Sequence, residues 1–394
     1  MRLQTLLAPL ILTASMTAGA TPFDEALDML TANNLAPKAE LMRSRSEIET
    51  MKADNQLPPP EAEFSRVWGS NAEVGNKWAL SVSQGFDWPG IYSARREAIA
   101  RSETAAQFLR ESTLLEARAQ ARQMLLDAIH NAQLLKLQRD LAGYVDTMVE
   151  IYRKGAEDGT QTRLDYNKTV LERIAVHREL HLLEAQQAEL VAQLTAFNGG
   201  QDPTPILELV GSEYPPAPAI PSAPTVETLR QRDPAYAAAM ARNEAARSLV
   251  KVESRSRFPG FSIGYEHETE AGGNFDGFSI GITLPMFSRK HQAKAVALEA
   301  EAALIDAEIE LTQVSATMQG DLKRLGSLRY VMDEYEPVIN DATNIQLLRK
   351  AFEAGQITYL TFIEESNYFI SAHKDYIDMM WEYQTLLGNL AKYE

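Results

Sequence analysis

Along most of the chain, apolar residues recur every three or four positions. Leu134, Leu137, Leu141, Tyr144, Met148 and Ile151 follow that spacing. So do Val176, Leu180, Leu183, Leu190, Leu194 and Phe197, with Gln187 holding one place in the series. This is the seam of helices packed side by side, knobs into holes. Residues 93–152 hold no proline and one glycine, Gly143, which predicts a single helix about 90 Å long. Residues 288–352 read the same way, with Pro337 as the point of a kink. Helices of this length exceed those of ordinary globular domains and point to a coiled coil or a helical tube.

Four short stretches break the rhythm and alternate instead. Residues 61–68 follow a proline run, and in residues 77–86 Trp78, Leu80 and Val82 alternate with Ala79, Ser81 and Ser83. Phe261, Ile263 and Tyr265 alternate with Ser262, Gly264 and Glu266. Phe278, Ile280, Ile282 and Leu284 alternate with Ser279, Gly281 and Thr283. Each stretch suits a strand of about ten residues with one apolar and one small or polar face, the pattern of a transmembrane barrel strand. Trp68, Trp78, Phe86, Trp88 and Tyr265 are candidate interface aromatics. A sheet packed on a soluble core shows the same alternation, and strand by strand that is the plainer reading.

The elements come in two series. Residues 21–212 give a helix broken at Asn34 and Pro37, two strands and a long helical hairpin. Residues 213–224 form a proline-rich linker that cannot continue a helix. Residues 225–394 repeat the series, with the first helix broken at Asp233-Pro234. Each hairpin closes on a glycine turn. At an offset of 196, Arg153, Lys154, Glu157, Gly159, Leu164 and His177 match Arg349, Lys350, Glu353, Gly355, Leu360 and His373. The shared order of elements is an internal duplication.

Charge and composition narrow the class. The net charge of -16 opposes nucleic acid or anionic lipid headgroups as the main partner. With no cysteine there is no disulfide, thiolate metal site or lipid-bearing lipobox thiol. Residues 1–20 carry Arg2, an apolar run from Leu6 to Leu12 and Ala18-Gly19-Ala20, which reads as a signal peptide cut after Ala20. No later run reaches the 18 or so apolar residues of a membrane-crossing helix. An exported chain of this kind spans a membrane only with strands. Four strands cannot close a barrel, and open edges are not tolerated in lipid. Three copies would supply twelve.

On these residues the chain resembles the TolC family of outer-membrane efflux proteins, and within it the heavy-metal efflux branch served by RND-type pumps. The resemblance rests on the duplicated order and on the two strand-to-helix junctions, residues 81–103 and 279–301, where Pro89 and Pro285 re-aim the chain. It implies a mixed α and β membrane protein: a homotrimer with a shared twelve-stranded barrel in the outer membrane of a Gram-negative bacterium and a long helical tunnel in the periplasm. It implies a passive conduit in a tripartite efflux system, with a periplasmic adaptor and an inner-membrane pump that supplies the energy. The tips of the helical hairpins would touch the adaptor: Gly159, Leu164, Asp165 and Tyr166 on one, Gly355, Tyr359, Leu360 and Phe362 on the other. Asp341 and Gln346 are the candidates for the aperture. No cofactor, metal or catalysis is implied. The alternative is an exported coiled-coil scaffold or adhesin-like protein without a pore.

Two apparent motifs carry no chemistry. GFSIG occurs at residues 260–264 and 277–281 and matches the nucleophile pattern G-x-S-x-G. That chemistry needs a strained turn from strand into helix, and both serines sit inside alternating segments. His177 and His181 lie four apart on a helix without a third ligand at metal-site spacing. No phosphate-binding G-x-x-x-x-G-K-[ST] loop exists.

Overall fold

The structure is a computed structural model. It describes residues 21–69, 75–217, 220, 224–270, 273–284, 290–339, 347, 348, 350–352 and 354–392. The leader read at residues 1–20, Pro285 and the aperture candidates Asp341 and Gln346 lie outside the described residues.

The first half contains α1 (Pro22–Asn33), α2 (Ala36–Asp54), β1 (Glu61–Trp68), β2 (Asn76–Phe86), α3 (Pro89–Asp158), α4 (Arg163–Phe197) and a short α5 (Thr204–Val210). The second contains α6 (Val226–Arg232), α7 (Pro234–Arg255), β3 (Gly260–Glu270), β4 (Gly273–Thr283), α8 (Lys290–Ile339) and α9 (Tyr359–Ala391). Each half thus runs two helices, two strands and two long helices. Local chemistry sets the breaks. Thr21 and Asp24 make a reciprocal capping box that opens α1, with Pro22 in its first turn. Asp233 ends α6, and its carboxylate accepts the Ala235 N–H at 2.8 Å to open α7.

The chain folds into two compact units, and each is assembled from both halves. One takes α1, α3 from Ala117 onward, α4, α5, the end of α8 from Leu322, and α9. Its core joins Phe23, Leu27 and Leu30 of α1 to Leu125, Leu126 and Ile129 of α3, Leu194 of α4 and Ile206 of α5. Trp381 of α9 packs against this core, and its indole N–H donates to Asp127 at 2.8 Å. A second cluster joins Leu134, Leu135, Ala142 and Val145 to Val176, Leu180 and Leu183 of α4 and Ile377 of α9. The start of the proline-rich linker is pinned here: Gln133 and Gln384 donate to the carbonyls of Ser212 and Pro215.

The seam of α3 differs from the sequence reading. The buried positions are Leu135, Ala142, Val145, Val149 and Tyr152 as well as Leu134 and Met148, whereas Ile151 is exposed. The cluster around α3 draws on both α4 and α9, so its apolar stripe is wider than one seam and turned toward the pair. On α4, Gln187 is exposed.

The other unit holds α2, all four strands, α3 up to Glu116, α6, α7 and α8 up to Asp321. The strands form one sheet in the order β1-β2-β3-β4, antiparallel throughout. Its helices are tied by ion pairs: Arg101 to Glu244 at 2.8 Å, Lys251 to Glu97 at 2.9 Å and Arg230 to Glu308 at 2.8 Å.

Leu125 is fully buried in the first core. Truncation to Ala is expected to cost about 2–5 kcal/mol, read as a shift of the denaturation midpoint of the detergent-solubilised protein. An unchanged midpoint would remove Leu125 from the core.

Candidate functional site

The sheet is built inside out relative to a soluble one. Its even-numbered positions on β2 and β4 and odd-numbered positions on β3 share one face, because Val82 pairs with Tyr265 and Tyr265 with Phe278. That face carries Phe64, Leu80, Val82, Ile263, Tyr265, Phe278, Ile280 and Ile282, all exposed. Phe278 is 87% and Ile280 81% exposed. The reading of a sheet packed on a soluble core is therefore corrected: among the described residues no layer covers the apolar face. A contiguous apolar face of this size needs a partner. Eleven residues at 3.4 Å make a strand of about 37 Å, which at a tilt of about 45° spans about 26 Å, the height of an outer-membrane apolar band.

The opposite face is small and acidic. It carries Ser81, Ser83, Ser262, Gly264, Ser279 and Gly281, with Glu61 and Glu63 at the start of β1 and Glu266, Glu268 and Glu270 toward the β3–β4 turn. Phe275 is its one aromatic. Lys77 is its one base and is ion-paired with Glu268 and Glu270. The GFSIG repeat finds its reason here. Gly264 stands opposite Ser279 and Gly281 opposite Ser262. A Cβ on Gly264 would lie 2.5 Å from the Ser279 hydroxyl oxygen. Each serine thus fills the space left by a glycine on the next strand.

The ends of the apolar face are marked by polar and aromatic groups. At one end His267 Nδ1 lies 2.8 Å and the Tyr265 hydroxyl 2.5 Å from Asp276 Oδ1, with the Trp78 ring 5.1 Å from His267. At the other, Trp88 stacks on Phe258 at 5.3 Å and sits 6.0 Å from Phe261. Paired aromatic levels of this kind flank the band of a membrane barrel. The junction into α3 is fixed there too. Pro89 opens the helix, Arg95 pairs with Asp87 at 2.8 Å, and Arg255 Nη1 donates to the Gly90 carbonyl at 2.7 Å.

The two helical turns share a build that the sequence reading saw only in part. Gly159 and Gly355 have φ of +82° and +68°, the left-handed region that stops a helix cheaply only at glycine. Three residues on, Thr162 and Thr358 are N-caps whose hydroxyls accept the N–H of Asp165 and Thr361. These threonines were not singled out from the sequence, although Thr-x-x-Asp before an apolar run is a capping signal. The hydroxyl and N–H of Thr160 hold the Asp158 carboxyl below the usual carboxylate range. Tyr152, behind the turn, has its phenol pushed up to about 12 by burial and then by Asp165.

The proposed tip residues fall into two groups. Leu164 is 65% exposed, and Asp165 and Tyr166 are half-buried. Phe362 is 1% exposed and packs on Tyr144 at 5.0 Å and Phe352 at 5.1 Å. Its ring braces the turn from within and offers no outward surface in the single chain. The side chains of Tyr359 and Leu360 lie outside what the structure describes. His177 Nε2 sits 3.0 Å from Asp146, and His181 Nδ1 sits 3.2 Å from Glu184. Among the described residues no group of three or more His, Asp or Glu could hold a metal ion, and no helix is long and apolar enough to cross a membrane.

The two faces of the sheet make opposite predictions. Ile280→Lys puts a charge on the apolar face and costs about 2–4 kcal/mol near a bilayer midplane. It should abolish heat-modifiable oligomers in lipid vesicles, whereas Gly277→Lys on the acidic face leaves them intact. Equal tolerance of both would contradict the assignment of faces.

Against known proteins, no protein-family model matches the chain. It is 26% identical over 304 residues to the cobalt-zinc-cadmium resistance protein CzcC of Cupriavidus metallidurans, covering 74% of this chain and 70% of that one. The Campylobacter jejuni CmeC outer membrane channel superposes with a TM-score of 0.76 at 13% identity, over 94% of this chain and 85% of that one. CusC, solved in a study of transmembrane channel formation, gives 0.72 at 14% identity, over 95% and 94%. A membrane protein of Pseudomonas aeruginosa gives 0.71 at 17% identity, over 95% and 93%. With four antiparallel strands per chain and long paired helices on a duplicated plan, the chain has the fold of the TolC-type outer-membrane channels.

Proposed function

We propose that the chain is the outer-membrane channel subunit of a tripartite efflux system. The observation that carries this is the sheet, with its apolar face outward, its small and acidic face inward and both its edges unpaired. Hydrocarbon offers no water to unpaired amides, so the sheet must close on itself through further copies. Because the strand number per chain is even and every pairing antiparallel, β4 of one copy meets β1 of the next antiparallel as well. The resemblance to the TolC family sets the number at three, giving twelve strands. Two copies would give eight strands, whose interior side chains would fill. The chain would act as a passive conduit in the outer membrane, its helices on the periplasmic side, and an RND-type inner-membrane pump would do the work. Ser262 and Ser279 lie within strands, so the nucleophile motif supports no catalysis here. An exported scaffold without a pore would have no use for an uncovered apolar sheet.

The exposed turns are the proposed docking points for the periplasmic adaptor. Leu164 beside Asp165 and Tyr166 gives an apolar anchor with a polar rim, the mix that protein contacts favour. Leu164→Glu should weaken capture of the cognate adaptor at least tenfold while trimers persist. Undiminished capture would exclude this turn. Asp341 and Gln346 remain the proposed aperture.

The inner face favours cations, because five glutamates face a single lysine already paired with two of them. Likeness to a cobalt-zinc-cadmium resistance protein agrees with cationic cargo. In planar bilayers, with Asp341→Ala and Gln346→Ala included to open the channel, the reversal potential in a salt gradient should be cation-selective. Glu266→Gln with Glu268→Gln should move it toward zero. Purified trimers that never conduct would sink the channel reading.

A further inference from the structure

The charged residues of the four strands are sorted by face. Glu61, Glu63, Glu266, Glu268 and Glu270 lie on the inner face, and so does Lys77. Arg66, His267 and Asp276 lie on the outward face. Arg66 belongs there because it pairs with Trp78, whose row continues through Thr269 to Asn274. His267 Nδ1 and Asp276 Oδ1 are 2.8 Å apart, and Asp276 also accepts the Tyr265 hydroxyl. That leaves Arg66 as the unopposed charge. It is exposed, and among the described residues no carboxylate pairs with it.

The aromatic levels set the height of Arg66. Trp78 and Trp88 stand ten positions apart, about 34 Å along an extended chain and about 24 Å in height at a tilt of about 45°. That matches the apolar band between the two interfaces of a membrane barrel. All four strands join their helices at the Trp88 end, so the Trp78 end faces away from the periplasm. On β1 and β2 the rows below Arg66 are apolar: Phe64 with Leu80, then Ala62 with Val82. In its own row Thr269 donates to Asn274 at 3.0 Å, and the row beyond holds Trp68 and Asn76. Arg66 thus stands at the outer interface, where headgroups replace hydrocarbon.

A guanidinium is planar and always charged, and its donors form a fork that takes two oxygens of a phosphate at once. The Trp68 ring lies 5.8 Å from the Arg66 guanidinium carbon and supports it without using those donors. We propose that Arg66 binds the phosphate of an anionic lipid headgroup in the outer leaflet, one site per copy around the rim of the barrel. The proposal rests on the barrel reading and adds the lipid chemistry that the outward rim recognises.

The sorting of charge has a use on this reading. At a net charge of -16 the chain as a whole is repelled by an anionic leaflet. Carboxylates on the outward rim would add repulsion at contact distance. The strand glutamates point inward instead, and the outward carboxylate, Asp276, is shared by Tyr265 and His267. A base at the rim lies within a Debye length of the headgroups and is drawn to them. The rival partner for Arg66 is Asp276 of the next copy, since β4 would lie beside β1 there. That carboxylate already serves two groups of its own chain.

Lipid A, a phosphorylated glycolipid, is the probe. Oligomers are reconstituted in phosphatidylcholine vesicles with and without lipid A and then melted. Lipid A should raise the melting temperature of the wild-type oligomer by several degrees. Arg66→Gln should remove that rise, and Arg66→Lys, which keeps the charge and loses the fork, should retain part of it. Lys77→Gln removes a base from the inner face and should leave the rise intact. Native mass spectrometry should find lipid A retained on wild-type oligomers and lost from Arg66→Gln. A rise produced by inorganic phosphate in plain vesicles would make this a free-anion site and overturn the lipid assignment. A wild-type oligomer indifferent to lipid A, or an equal rise in Arg66→Gln, overturns the proposal and leaves the barrel standing. Arg66→Gln that melts lower by the same amount in both vesicles assigns Arg66 to the next copy's carboxylate and overturns it too. A wild-type chain that forms no oligomer overturns the barrel itself.

Discussion

Backbone amides cannot be left unpaired in hydrocarbon, and the rest of this molecule follows from that. A four-stranded sheet has two edges, each a row of N–H and C=O groups that would cost several kcal/mol apiece if buried in lipid. Here the edges belong to β1 and β4, the strands whose residues are almost all exposed in the single chain. The outward apolar face makes water an equally poor surrounding. Only a sheet closed by further copies satisfies both faces and both edges. The duplication serves the same end, since each half supplies one antiparallel pair and one pair of long helices.

Much of this is legible in the sequence, and what is not has physical reasons. The period of two in Phe278, Ile280 and Ile282 gives the strand but not its surroundings, because alternation is identical whether the apolar side meets a core or lipid. The serines of GFSIG are explained only by register, which sets each opposite a glycine on the neighbouring strand. The seam at Leu134–Ile151 was found with the right period and a displaced centre. A helix touched from two sides has a broad stripe, and leucine spacing picks out one margin of it while Ala142 and Val145 lie in the middle.

The turns show the same division. Gly159 and Gly355 are conspicuous because a helix ends abruptly there. Thr162 and Thr358, which start the next helices, look like ordinary polar residues. Phe362 sits at a position equivalent to the half-exposed Tyr166, yet it is buried against Phe352 and Tyr144. Sequence shows that both turns carry an aromatic there and not which one packs inward.

The claim that several copies share one barrel is tested most directly by weighing the particle. Native mass spectrometry of the protein extracted from outer membranes in mild detergent should give three copies of the chain, and detergent removal should precipitate it. A monodisperse single chain, soluble without detergent, would contradict the shared barrel and the channel with it.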